Sequence, residues 1–372
     1  MATTESLTSG LEAHVCGVVA DSGGWIGFDR FMELALYTPG LGYYANSSPK
    51  FGMMPAGPHG RRSDFATAPE MTPFFGRAIA RQLEQALQVS QTSELWEFGA
   101  GSGALAKQLL ESIGDRVQAY TIVDLSGALQ QRQREALGEH ASKVRWASEL
   151  PVTMRGVVIG NEVLDAMPVK LLARRAGLWR ERGVCIDTSG AVPRLAWEDQ
   201  PSDLRPPLEI AGSHDYLTEI HPVAEAFMAT LADRLVQGAA FFLDYGFPER
   251  EYYHVQRHMG TLMCHRGHRS DADPLREIGL KDITAHVDFT GLALAAQQAG
   301  GLGVLGYTTQ ARFLMNCGML SLLDNATLQD RTMAQKLIME HEMGELFKVI
   351  GFCKGVHWDA IGFAQGDRTH TL

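Results

Sequence analysis

Two short stretches of this chain carry residue types at spacings that suit chemistry. In ELWEFGAGSG, Glu97 precedes three alternating glycines, Gly99, Gly101 and Gly103, with Ala100 between the first two; in VVIGNEVLDAMPV, Asn161, Glu162 and Asp165 follow an apolar run. Alternating glycines permit positive φ and let a ligand lie against bare backbone, while the unpaired N–H groups of a following helix face the same crevice. Such a turn suits a nucleotide-like ligand. In parallel α/β sheets ligands sit beyond the carboxyl ends of the strands, so Asn161, Glu162 and Asp165 should share the crevice with the glycines. Asn161 and Asp165 would also serve as helix caps, but a Glu beside them is harder to explain as structure. A carboxylate there can orient a cationic group and receive a proton.

Strand, turn and helix must position these residues. Leu95, Trp96 and Phe98 suit a buried strand, and Ala104, Leu105, Leu109, Leu110 and Ile113 recur at helical spacing directly after it. A second strand in AYTIVDLS ends at Asp124, beside Leu125, where the carboxylate that binds ribose hydroxyls is expected. Gly99, Gly101 and Ala104 also fit the dinucleotide fingerprint, so an NAD-dependent oxidoreductase is an alternative, as is a close-packed turn with no ligand. Glu97, two residues before the first glycine, gives E-F-G-A-G-S-G, the usual form of the S-adenosylmethionine (SAM) loop, and favours SAM as cofactor.

The rest of the chain adds to that core. Residues 1–90 read as an N-terminal helical extension, including FDRFMELALY, and a loop over 45–62 rich in Ser, Pro, Gly and Met. SDFATAPEM then brings Asp64, Thr67 and Glu70 towards the central strand as turn or ligand residues. The SAM-binding core is expected over 91–169 and 215–310. Between them, 170–214 alternates short runs with Gly turns and predicts a small antiparallel β insertion, with DQPSDLRPP as a linker. After a fifth strand ending at Asp244-Tyr245-Gly246 comes a long loop with His254, His258, His265, His268 and His286, read as a lid over the substrate; no metal site is expected there. A helical insertion over 311–345 precedes a closing strand in 346–363, and the polar tail beyond Phe363 is expected to fray. The fold class is therefore α/β, a Rossmann-like class I SAM-dependent methyltransferase sheet with these additions.

With 372 residues and 45% hydrophobic content the chain can bury one large core. Its formal net charge of -10 opposes a broad electrostatic hold on nucleic acid. Cys16, Cys185, Cys264, Cys317 and Cys353 show no C-x-x-C spacing, which fits a reducing compartment. No apolar run reaches membrane-spanning length, and the first residues resemble neither a signal nor a transit peptide, so the bacterial cytoplasm is the expected location.

Eight segments in order, FMELALYTPGLGYY, DFATAPE, ELWEFGAGSGALA, NEVLDAMPV, LDYGFP, GTLMCHRGHR, ITAHVDFT and ELFKV, resemble the MidA family of SAM-dependent methyltransferases, over about Phe28 to Lys354. Ser63 stands where the common GDF-TAPE pattern has Gly. The resemblance implies a protein arginine methyltransferase, since the mitochondrial members methylate an arginine of a respiratory complex I subunit and assist assembly of that complex. It implies a protein partner, and the chain could pair with a copy of itself. A SAM-binding assembly factor with little turnover is the alternative within the same family. For an arginine acceptor the carboxylates of Glu162 and Asp165 would orient the guanidinium and take its proton, with His286 or Tyr245 next in line.

Overall fold

The computed structural model describes residues 4–46, 67–124, 127–190, 192–267 and 269–372. Ser63, Asp64, Leu125, His268 and all of the expected loop over 45–62 except Ala45 and Asn46 lie outside them. The chain divides into two compact units. The first comprises Met1–Ser48, Asp165–Ala224 and Phe247–Asp288, the second Pro49–Leu164, Glu225–Gly246 and Phe289–Leu372.

In the second unit, α1 (Phe74–Ser90) leads into β1 (Glu94–Phe98), α2 (Ala104–Ile113), β2 (Ala119–Val123), α3 (Gly127–Leu137), β3 (Val144–Ala147) and β4 (Met154–Asn161). Then follow β5 (Leu235–Phe247), α4 (Phe289–Gly300), β6 (Gly303–Thr309) and β7 (Phe347–Lys354). The strands lie in the order β3-β2-β1-β4-β5-β7-β6. The first five are parallel, and β7 runs antiparallel between β5 and β6. β1 and β4 are buried on both faces because helices cover them, which is why Leu95, Val157 and Ile159 are wholly inaccessible. α1 and α2 contribute Phe75, Ile79, Leu83, Leu105 and Leu109 to the same core at helical spacing. Each such side chain contributes about 1.5–3 kcal/mol by leaving water.

Register sets the working edge. Phe98 pairs with Gly160 and Leu243 with Asn161, so the glycine turn, Asn161 and the end of β5 lie side by side at the carboxyl ends of the strands. Between β6 and β7 run the helices Gln310–Asn316, Met319–Leu322 and Leu328–Ile338. The tail beyond Phe363 does not fray. Arg368 N donates to Tyr307 O at 2.6 Å, Tyr307 N donates to Asp367 at 2.9 Å, and Arg368 pairs with Glu345, so polar side chains hold it where apolar periodicity gave no hint.

In the first unit the sheet joins Trp25–Gly27, Leu178–Asp187, Lys170–Arg175 and Tyr216–Ile220 in that order, with Arg194–Pro201 also paired to Leu178–Asp187. All of these pairings are antiparallel. The expected 170–214 segment thus shares its sheet with a strand some 150 positions earlier, one of only 3 residues and too short to show a period of two. The stretch read as a long loop also contains strands, Met263–Arg266, Arg269–Asp271 and Asp282–Thr284, in one antiparallel sheet. Among the described residues no helix is long and apolar enough to cross a membrane, and no cluster of His, Cys, Asp and Glu could hold a metal ion.

Candidate active site

Gly99, Gly101 and Gly103 all adopt positive φ, at 62°, 53° and 87°. A Cβ on Gly99 would overlap Val163 Cγ2, and one on Gly103 would lie 3.2 Å from Gln133 Cα. Gly99 N donates to Val123 O at 3.2 Å, which ties the turn to the end of β2. Ser102 Oγ accepts from Ala104 N at 3.3 Å and donates to the Glu70 carboxylate. Glu70 is thereby brought to the turn. It rides on the short helix Ala68–Met71, whose first amides lean on Thr67: Glu70 N donates to Thr67 O at 2.9 Å. Gln108 of α2 fixes that helix by donating to Pro69 O at 2.8 Å.

Glu97 points into the sheet. It is 2% exposed, and Tyr120 Oη donates to its carboxyl at 2.8 Å. Burial pushes Glu97 up to about 8, against the lowering effect of the Tyr120 hydrogen bond and with a small further rise from Asp124.

Asp124 accepts from Gln133 Nε2 at 3.0 Å, and the same nitrogen donates to Gly101 O at 3.2 Å. Trp146 Nε1 donates to Gln133 Oε1 at 2.8 Å. Fully buried Gln133 thus ties the glycine turn to the ribose-position carboxylate. Sequence reasoning missed it, because GALQQRQREAL offers several equivalent polar residues and no spacing marks one of them.

At the end of β4, Glu162 is a non-glycine residue in the left-handed region, at φ 52°. Such a conformation costs about 1–3 kcal/mol and persists only where neighbours enforce it. Here Glu162 N donates to Leu243 O at 2.9 Å, while Val163 N and Leu164 N both donate to Asp244 Oδ2, at 3.1 and 2.9 Å. Asp244, wholly buried, is the second residue missed, and its place at the end of a strand was the available signal. Asn161 Nδ2 donates to Glu162 Oε1 at 3.0 Å and so fixes the carboxylate; Asn161 Oδ1 is buried without a hydrogen-bond partner.

Asp165 and His286 belong to the first unit. Asp165 is 6% exposed, and its carbonyl accepts from Ala285 N at 3.0 Å, one residue before His286. His286 N donates to Thr261 Oγ1 at 3.0 Å, and its ring lies edge-on to Phe247 with centroids 5.1 Å apart. Burial, followed by the charge of His286, holds His221 down to about 3. Tyr44 donates to Asp282 at 2.8 Å; loss of water and the charges of Asp282 and Asp165 raise its phenol well above the usual range. Tyr245, on β5, stacks edge-on against Phe347 at 5.4 Å in the second unit.

The second unit's edge fits S-adenosylmethionine. Three left-handed glycines expose backbone where a ligand must approach, Asp124 offers acceptors for hydroxyl groups, and Asn161 Oδ1 is a buried acceptor awaiting a donor. With its parallel strands closed by antiparallel β7, this is a class I SAM-dependent methyltransferase fold. The chain belongs to the family described as putative S-adenosyl-L-methionine-dependent methyltransferase, whose model matches residues 76–308.

Its relatives agree. A protein from Burkholderia thailandensis, crystallised with S-adenosyl-homocysteine bound, is 46% identical with a TM-score of 0.92, over 99% of this chain and 98% of that one. The zebrafish (Danio rerio) protein arginine methyltransferase NDUFAF7, mitochondrial, is 26% identical over 92% of this chain and 84% of its own length. Its mouse (Mus musculus) counterpart is 27% identical over 78% and 70%.

Proposed function

We propose that this methyltransferase acts on the guanidinium of an arginine in a protein partner. The observation that carries this reading is Glu162: a carboxylate clamped by Asn161 on a strained backbone, at the same strand edge as the glycine turn. The backbone of Gly99, Gly101 and Gly103, together with Asp124 and Asn161, would hold the cofactor. S-adenosylmethionine, when bound, supplies a methyl group on a positively charged sulfur. A guanidinium is charged at neutral pH, and its planar fork matches the two oxygens of a carboxylate. Glu162 orients that fork, keeps one nitrogen facing the crevice and takes the proton that nitrogen loses on methylation. The arginine activity in the names of the curated relatives supports this acceptor. On the family resemblance, the proposed partner is a respiratory complex I subunit and the proposed place of action the bacterial cytoplasm.

Glu162→Gln keeps shape and removes charge. Methylarginine formation on the partner should fall by about 100-fold or more, as for loss of a positioned acid-base group, while SAM affinity and melting temperature stay near wild type. Loss of SAM binding would move Glu162 into the cofactor site. Full activity would refute its role, and absence of turnover in the wild type would favour a docking factor.

A further inference from the structure

The first unit holds a cavity of about 480 Å³ lined by none of the residues assigned above to cofactor or acceptor, walled by Trp179, Pro206, Leu208, Ile210 and Ala211, with Arg174 also lining it. The DLRPP stretch forms part of this wall. Arg174 is 4% exposed. Its Nε donates to His214 O at 3.1 Å and its Nη1 to Ile210 O at 2.7 Å, but its Nη2 is buried without a hydrogen-bond partner. The guanidinium carbon lies 5.3 Å from the centre of the Trp179 ring and 5.7 Å from that of Tyr216.

Among the described residues no carboxylate pairs with Arg174; Asp215 is taken by the neighbouring Arg175. Of the other charged lining residues, Arg205 and Glu209 are both exposed to solvent, where water screens them. A buried guanidinium keeps its charge at any ordinary pH and is costly without a counter-charge. Two carbonyls and two ring faces disperse part of that charge. An anion is what the site lacks.

We propose that this cavity binds a small organic acid, with its carboxylate at Arg174 and an apolar body against Trp179, Leu208 and Ile210. The volume suits a small molecule, and the lining sets five apolar side chains beside one buried cation, with Arg205, Glu209 and Ser213 exposed to solvent. A carboxylate would supply both the missing acceptor and the missing charge.

Hexanoate is the probe, titrated calorimetrically into the full chain, with hexanol and hexylamine as neutral and cationic controls of the same length. Hexanoate should bind saturably and at least about tenfold more tightly than hexanol, with no binding of hexylamine. Arg174→Met should abolish hexanoate binding. Because that side chain is buried and its loss could unfold the unit, Ala211→Trp, at an exposed wall position, fills the cavity in a chain whose melting temperature and SAM affinity should match wild type. It should weaken hexanoate by at least about tenfold. Absence of saturable binding, equal binding of hexanol, or wild-type hexanoate affinity in folded Ala211→Trp overturns the proposal.

Discussion

Glu97 gains a proton on folding. Burial holds its carboxyl up to about 8 from an ordinary 4.5, so between those values the folded chain keeps a proton that the unfolded chain has released. The stability from this group is therefore full below the unfolded value and is lost as pH rises through about 8, with a slope of up to about 1.4 kcal/mol per pH unit. Glu97→Gln, neutral at every pH, should flatten the fall in urea stability between about pH 5 and about pH 8, because all other groups titrate alike in both chains. Identical slopes would mean that Glu97 is ionised in the fold. The sequence marked Glu97 by its distance from the glycines but not its surroundings. Tyr120 lies 23 positions on and meets it only through strand pairing. The glycines themselves were readable because their requirement is local: each sits where φ is positive.

The pairing of β4 with β5 rests on two facing glycines. Gly156 and Gly238 are register partners with φ of 129° and 137°, next to a bulge between Leu235 and Gln237. A Cβ on Gly238 would overlap the Gly156 carbonyl. Gly238→Ala should therefore destabilise the second unit by at least about 2 kcal/mol, through backbone strain and separation of the strands. SAM affinity of the folded fraction should hold, since the cofactor edge is at the other end of these strands, where Leu243 pairs with Asn161. Thermal denaturation with calorimetry checks both, and wild-type stability would show that the ladder shifts freely. Neither glycine was singled out from the sequence, because two isolated Gly residues 82 positions apart form no motif. The strands themselves were readable as apolar runs, VVI in β4 and FFLDY in β5, whereas those of three or four residues in 263–284 show no period.

The residues assigned to the cofactor, Thr67, Glu70, Glu97, the glycine turn, Asp124 and Asn161, all fall in the second unit. The first unit is assembled from three segments far apart in the chain, an arrangement that no local pattern announces. That division has a measurable consequence. A ligand that binds only the folded state stabilises the cooperative body that holds it, by about 2.7 kcal/mol at one hundred times its Kd. If the two units open separately, SAM should slow hydrogen exchange of the core amides in β1, β2 and β4 by about 100-fold, corresponding to that energy. Amides of Lys170–Arg175 and Leu178–Asp187 should be unchanged. In Gly101→Val the protection should vanish while the chain stays folded, because a β-branched side chain is strained at φ 53° and fills the space where backbone meets ligand. Exchange followed by mass spectrometry resolves both sets of peptides. Equal slowing in the two units would show that they unfold as one body, and undiminished protection in Gly101→Val would remove the glycine turn from the cofactor site.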